Sequence, residues 1–430
     1  MKYLNAGHPY RRMQLGRRAL VGAAAAGIVA SRGARAQAPK TLTMSVWGGE
    51  AEDAAFRAVL AKYAALHPDV TVRLEIGGGG MQFYQQIDTR LAGRQAPDIF
   101  RVQYQQVGRY ASSRALADLG NNLDAADIAP AFVQAVTFKG RAYAMPHHTD
   151  TFALYYNRDM MQKIGVQPPT SLEQSWTWAE FLQVARQLKQ TGTAPFGFAM
   201  SWQNGTAYRW LPFLYQHGGR LLNDDFTQSQ LSTPAGIETI AWTQSWFKDK
   251  LVPPSTSIKS NEQSQNLFAN GTVGMLMGGD WQIPFLDKNM TAAWGVTYMP
   301  RDVAMASDLG GNCLAVSRDC KNPELAADLV KFMADKANMQ DFVTRAQFLP
   351  VRKSLMSAPL PYALRPEAME VFVKQATTIP PHMVSTVTLP ISSKINAALV
   401  DHLDLAFTGD RDPAATAKAI DVQVQALLVT

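Results

Sequence analysis

Apolar and polar residues alternate through Leu42-Thr-Met-Ser-Val-Trp47, the two-residue period of a strand. Phe56, Val59, Leu60 and Tyr63 then recur at helical spacing until His67-Pro68 ends the pattern. A second strand is predicted over Val70 to Ile76, running into glycines 77 to 80. A second helix follows over about Met81 to Gly93, and a third strand at Pro97-Asp98-Ile99-Phe100. Strands alternating with helices specify a parallel sheet whose right-handed crossovers bring the carboxyl ends of the strands to one edge, where open α/β sheets take their ligands. Here that edge comprises Trp47-Gly48-Gly49, the glycine run and Arg101 to Gln105.

The stretch Gly140 to Thr151 then leads into a new strand, Phe152 to Asn157, and reads as a hinge. Trp178, Phe181, Leu182, Ala185 and Leu188 mark a helix, Trp202 to Trp210 is rich in aromatics, and Ile237 to Phe247 is helical again. From Gly271 strands and turns return, through Met275 to Trp281 and Gly295 to Pro300. Pro323 then opens a helix with Leu325, Leu329, Phe332 and Met333 on one face, and helices are expected at about 366 to 376 and 392 to 406. A chain of this length exceeds what one hydrophobic core serves, so two lobes are expected.

The amino-terminal segment changes how the charge is read. Arg17-Arg18 precede an apolar run, Ala19 to Ala30, which falls short of the roughly 20 residues that span a bilayer, and Ala34-Arg35-Ala36 follows as a small-residue cleavage site. The pattern looks like a twin-arginine export signal cut near Ala36. Residues 1 to 37 hold seven basic residues and no acidic one, so the remainder carries 34 basic against 35 acidic groups, a formal charge of −1. A nucleic-acid partner is therefore not expected. Neither Cys313 nor Cys320 follows the signal as a lipid-attachment site would, so the product is expected free in the periplasm. An extended segment holds the two cysteines too far apart for a bridge unless a turn at Arg318-Asp319 folds Cys320 back.

A set of motifs in fixed order resembles the extracellular solute-binding proteins of family 1, the carbohydrate-binding subunits of ABC importers. They are Ala96-Pro97-Asp98-Ile99, Ala142 to Pro146 with Thr149-Asp150-Thr151 and Ala153 to Asn157, and Pro169-Thr170. Phe268 to Met275, Gly278-Gly279-Asp280-Trp281, Gly310-Gly311-Asn312, Lys321 to Glu324 and Leu349 to Arg352 continue the series. The resemblance implies an α/β, two-lobed periplasmic binding protein fold of class II type, each lobe a mainly parallel sheet flanked by helices. Residues 40–147 with about 271–335 are expected to form one lobe, and 150–270 with about 340–430 the other. It also implies a monomeric receptor that traps a mono- or oligosaccharide between its lobes and hands it to a membrane permease, with no cofactor, metal or bond chemistry.

Sugar recognition needs flat aromatic faces together with planar carboxylate or amide groups for hydroxyls. Trp281 is the foremost stacking candidate, with Asp280 before it, and Asp150 stands where the family often carries a hydroxyl-accepting carboxylate. Trp47 is placed similarly after the first strand. Tyr208 and Trp210 match the family's second-lobe aromatics, and Gly311-Asn312 match a cleft-lining segment. Where the maltose-binding members carry a first-lobe carboxylate, this chain has Gln103 and Tyr104. Threonines and valine between Met383 and Leu389 replace an aromatic, so maltose is not the expected ligand. Each aromatic is also compatible with core burial.

Other chemistries find little support. His147-His148 would point to opposite faces of a strand, one packed and one solvated, with no HExxH or Cys/His cluster to complete a metal site. The glycine run lacks the GxxxxGK[ST] and GxGxxG patterns of nucleotide sites. A glycoside hydrolase using Asp150 and Asp280 as paired carboxylates is the rival of another class. The same scaffold carrying a glycerol phosphate or polyamine is the nearer alternative, although a phosphate ester would call for several cations in the cleft.

Overall fold

The computed structural model describes residues 40–202 and 205–429. The expected export signal lies outside the described residues. β1 (Lys40–Trp47), β2 (Val70–Gly77) and β3 (Ile99–Gln103) are parallel, β1 lying between the other two. Leu42, Met44, Ser45 and Val46 of β1 are all buried, because a central parallel strand is covered on both faces, whereas the edge strand β2 alternates between covered and open positions. α1 (Glu50–Leu66) buries the face predicted from its spacing, Phe56, Val59, Leu60 and Tyr63. Its first turn holds Glu50, Glu52 and Asp53, which favour the helix's positive end. α2 (Met81–Ala92) completes the crossovers, and α3 (Tyr104–Ser112) follows β3.

A short hairpin, β4 (Thr137–Phe138) with β5 (Arg141–Ala142), precedes β6 (Met145–His148). The chain then leaves for a second sheet built from β7 (Phe152–Asn157), β8 (Phe196–Met200), β9 (Val273–Gly279) and β10 (Trp294–Thr297), in the order β10-β7-β9-β8. β7 runs against β9 and β10, while β8 and β9 are parallel. It returns at β11 (Asn312–Val316), which inserts antiparallel between β3 and β6, giving the first sheet the order β2-β1-β3-β11-β6.

This pairing corrects one expected boundary. The segment from 271 to about 300 belongs with the second sheet, not the first lobe, because every residue of β9 is buried there between β7 and β8. An apolar run of that kind fits the centre of either sheet, and only pairing decides. The chain rejoins the first lobe at Asn312, and the helix Lys336–Ala346 packs on α1, so the stretch from about 340 to 346, expected in the second lobe, belongs with the first. The last helix, Pro413–Leu428, is fastened to second-lobe loops, where the Asp421 carboxylate accepts from Ser229 Oγ at 2.6 Å and from the Leu231 and Ser232 N–H groups at 2.7 Å. The helix Ser392–Phe407 reaches the first lobe, its Ser392 hydroxyl donating to the Gln105 carbonyl at 2.6 Å.

The passages between lobes are laced together by backbone bonds. Thr149 and Leu349 exchange N–H and C=O at 2.8 and 3.0 Å, and Gly310 N–H donates to the Asp150 carbonyl at 3.0 Å. Cys313, in β11, is fully buried with its Sγ 3.2 Å from the Val102 carbonyl oxygen, and both cysteines are free thiols. Burial pushes the Cys313 thiol well up, and that of Cys320 up to about 12.

Gly311 is the point at which this lacing tolerates no side chain. Its φ is +93°, and a Cβ there would lie 2.4 Å from Thr149 Cα and 2.5 Å from the His148 carbonyl oxygen. Gly311→Ala is expected to lower the unfolding free energy by about 2 to 4 kcal/mol. Urea denaturation would register this as a lower midpoint at unchanged slope.

Candidate functional site

Two buried arginines organise the region where the chain passes between lobes. In the second lobe Arg209 lies in a helical turn, Ala207–Trp210. Its guanidinium carbon is 4.5 Å from the Phe152 ring centre and 4.7 Å from that of Trp281. Guanidinium held between aromatic faces combines cation–π attraction with exclusion of water. Its Nη1 lies 3.2 Å from Asp308 Oδ2 and its Nη2 4.0 Å from Asp150 Oδ1. Asp308 also accepts from the Phe152 N–H at 2.8 Å, so the carboxylate end of the pair is fixed by the backbone at the crossing.

In the first lobe Arg101, on β3, lies 4.7 Å over the Trp47 ring. It donates to the Trp47 carbonyl and the Glu52 carboxylate, and its Nη2 meets His148 Nε2 at 2.8 Å. His148 lies 3.3 Å from Asn312 Nδ2. Each lobe thus places a tryptophan at the end of a strand, with glycines beside it, under a buried arginine held by carboxylates.

Three aspartates share the interior around Arg209. Burial pushes the carboxyl of Asp150 up to about 7, the Arg209 charge opposing the rise and Asp308 adding to it. Asp280 is fully buried with neither oxygen in hydrogen-bond geometry to a described residue, and burial, then repulsion from Asp150, drive it well above the usual range. Asp308 is raised by burial as well, with Arg209 pulling it back. Three carboxylates facing one guanidinium cannot all be ionised cheaply, so protons are shared among them at neutral pH. Asp150 also feels the charge of Arg101, and neutral phenols complete the surroundings, Tyr155 and Tyr362 facing Asp280, Tyr208 facing Asp150 and Asp308, and Tyr104 facing Asp150.

The structure gathers Asp150, Asp280 and Trp281 around Arg209, and Trp47 and Asn312 around Arg101 and His148, with Gly311 at the crossing between them. Tyr104 and Trp210 must be reassigned. Both are fully buried, the Tyr104 hydroxyl donating to the His148 carbonyl at 3.1 Å and the Trp210 N–H to Thr243 Oγ1 at 2.9 Å, so both serve the core. The expected solvated histidine is absent too, since His147 and His148 are both fully buried, and burial lowers His147 to about 3. His147 packs on Phe342 at 4.1 Å and His148 stacks on Phe348 at 3.9 Å between ring centres. Among the described residues no cluster of metal-ligating side chains occurs.

Gln103 and Tyr208 line a cavity of about 30 Å3 whose walls come from both lobes. From the first lobe come Met81, Tyr84, Gln105 and Gln106; from the second, Gly205 and Thr206; from the carboxyl-terminal helices, Thr386, Ser392, Ser393 and Asn396. Among the described residues, no Lys, Arg, His, Asp or Glu lines it. Thr386 lies in the stretch from Met383 to Leu389 already compared with the maltose-binding members, but the lining from 392 to 396 was not assigned to the site from sequence, because helical spacing there shows a buried face without showing which neighbour it meets. Arg209 was missed as well, although a cation amid Ala207-Tyr-Arg-Trp-Leu-Pro-Phe213 is a signal, since burial in such a stretch demands a carboxylate partner.

The chain belongs to the bacterial extracellular solute-binding proteins, whose family model matches residues 58–365. It is 28% identical over 230 residues to a binding protein of Brucella abortus, a match spanning 52% of this chain and 54% of that relative, so the likeness covers about half the length of such relatives. It is 26% identical over 322 residues to the diacetylchitobiose binding protein DasA of Streptomyces coelicolor, covering 71% of this chain and 72% of that one. Among solved structures, a Thermotoga lettingae ABC transporter solute-binding protein bound with α-D-tagatose superposes with a TM-score of 0.78 at 23% identity, covering 90% of this chain and all of that one. UgpB of Mycobacterium tuberculosis, in complex with glycerophosphocholine, superposes with a TM-score of 0.75 at 19% identity, over 90% and 98%. These likenesses establish the two-lobed solute-binding fold.

The aspartate cluster makes stability depend on pH in a definite sense. Carboxyls whose folded pKa is raised stabilise the fold fully below their unfolded values near 4, and that contribution is lost as pH climbs through the folded values, about 7 for Asp150. The melting temperature is therefore expected to fall between pH 5 and pH 8. Asp280→Asn, which mimics the protonated acid, should flatten that fall and leave the variant at least as stable as wild type at pH 8. An undiminished slope in differential scanning calorimetry would remove Asp280 from the account.

Proposed function

We propose that the protein is an exported, monomeric substrate-binding subunit of an ABC importer that captures a neutral carbohydrate between its lobes and delivers it unchanged to the permease. The observation that carries this reading is the uncharged lining of the interlobe cavity. Gln103, Gln105, Gln106 and Asn396 offer both donors and acceptors, Thr206, Ser392 and Ser393 add hydroxyls, and Tyr84 and Tyr208 supply aromatic surface. Such a set suits a ligand whose every hydroxyl both gives and takes a hydrogen bond. About 30 Å3 admits little more than water, so a sugar ring enters only when the lobes part. Gln103 and Tyr208 would touch the ligand. Asp150, Asp280, Trp281, Trp47 and Asn312 would hold the two lobes' cavity-facing ends in shape.

The rivals fit this arrangement poorly. A phosphate ester would find no cation along the cavity, and a polyamine no carboxylate. Asp150 and Asp280 have the raised pKa an acid catalyst wants, yet both are sealed beneath Arg209 and Trp281 and leave no room for a glycosidic bond.

Isothermal titration against neutral mono- and oligosaccharides, glycerol phosphate and spermidine tests the proposal directly. Binding is expected for a neutral sugar, with an affinity nearly independent of salt because no ion pair is formed. Tyr208→Ala should weaken it about 10- to 100-fold, as loss of about 1.4 to 2.7 kcal/mol of contact. Heat evolved only with the charged solutes would sink the carbohydrate reading.

A further inference from the structure

The glycine run before α2 contributes little polar chemistry, yet the turn it permits carries one apolar side chain to the other lobe. Gly80 adopts φ +65°, and the next residue, Met81, opens α2 with its side chain 48% exposed. Met81 lines the cavity from the first lobe, and Gly205 lines it from the second. A methyl group placed on Gly205 would lie 2.7 Å from Met81 Cγ and 3.1 Å from its Sδ, so the thioether rests directly against that glycine. Gly205 is anchored from behind, since Asn396 Nδ2 donates to its carbonyl while Asn396 Oδ1 accepts the Tyr208 N–H at 2.9 Å. The first lobe therefore touches a fixed point of the second at the wall of the cavity. Methionine suits a contact that must form and break, because its unbranched chain adapts to a surface without demanding one rotamer.

We propose that Met81 and Gly205 form a latch over the ligand cavity, an apolar contact made when the lobes are shut and lost when they part, which sets how long a captured sugar stays. This rests on the reading of the cavity as the carbohydrate site. Met81 acts as a positioning residue, holding the closed form.

A contact present only in the closed form acts on escape more than on encounter. With the sugar that gives the strongest heat, Met81→Ala is expected to raise the dissociation rate about tenfold while the association rate stays within about twofold, and Met81→Leu to behave as wild type. An unchanged dissociation rate in Met81→Ala overturns the latch. A second arm needs no ligand: in the double variant Met81→Cys/Gly205→Cys, checked for native circular dichroism, the two introduced thiols are expected to join on mild oxidation. The joined protein should exchange no sugar until a reductant is added. Failure of the thiols to join in the folded double variant also overturns the proposal. If they join while wild type binds no sugar at all, the lobe-to-lobe contact stands and the carbohydrate reading is what falls.

Discussion

The arrangement depends most on the guanidinium of Arg209, placed between Phe152 and Trp281 and facing the carboxylates of Asp308 and Asp150. A cation this deeply buried is tolerable only if its charge is answered and its flat faces are covered. The partners that answer it come from three other stretches of chain. Asp150 and Phe152 flank the outward crossing, Asp308 the return, and Trp281 the end of β9. Satisfying one ion thus fixes how four segments approach one another. Arg101 does the same for the first lobe, tying the end of β1 and α1 to β6 through Trp47, Glu52 and His148.

The crossing itself is narrow because its backbone groups bond to one another. Thr149 with Leu349 and Asp150 with Gly310 leave room for glycine alone at 311. The cavity lined by Met81, Gln103 and Gln105 on one side and by Gly205, Ser392 and Asn396 on the other lies between the first lobe and the second lobe with the final helices. In the carbohydrate reading proposed above, small contacts at that wall would weigh on the balance between open and shut forms.

Much of the fold was legible along the chain. The α1 face and the parallel order of β1 to β3 follow from local spacing, the stretch Gly140 to Thr151 was read as the passage to a new strand, and the motif order pointed to two lobes. What escaped was whatever depends on a partner distant in sequence. β9 reads as a buried strand in any sheet, and only its pairing with β7 and β8 assigns its lobe. Tyr104 and Trp210 sit one residue beside Gln103 and two beyond Tyr208, close enough in sequence to be taken for lining, but a single step along the chain turns a side chain from cavity to core. Trp281 and Asp280 were expected at the ligand, and the structure places the indole against Arg209 with Asp280 buried beside it, an arrangement no spacing rule anticipates. The helix Ser392–Phe407 was expected as a helix, while its contribution of Ser392, Ser393 and Asn396 to the cavity follows from packing alone.

The thiols of Cys313 and Cys320 have a bearing on assembly. One is sealed inside the first sheet and the other largely covered, and both are held protonated by their surroundings. Protonated sulfur is a poor nucleophile, and sulfur out of reach meets no oxidant. No disulfide between these two residues therefore braces the shape, which is held by packing and hydrogen bonds alone at this point of the first sheet.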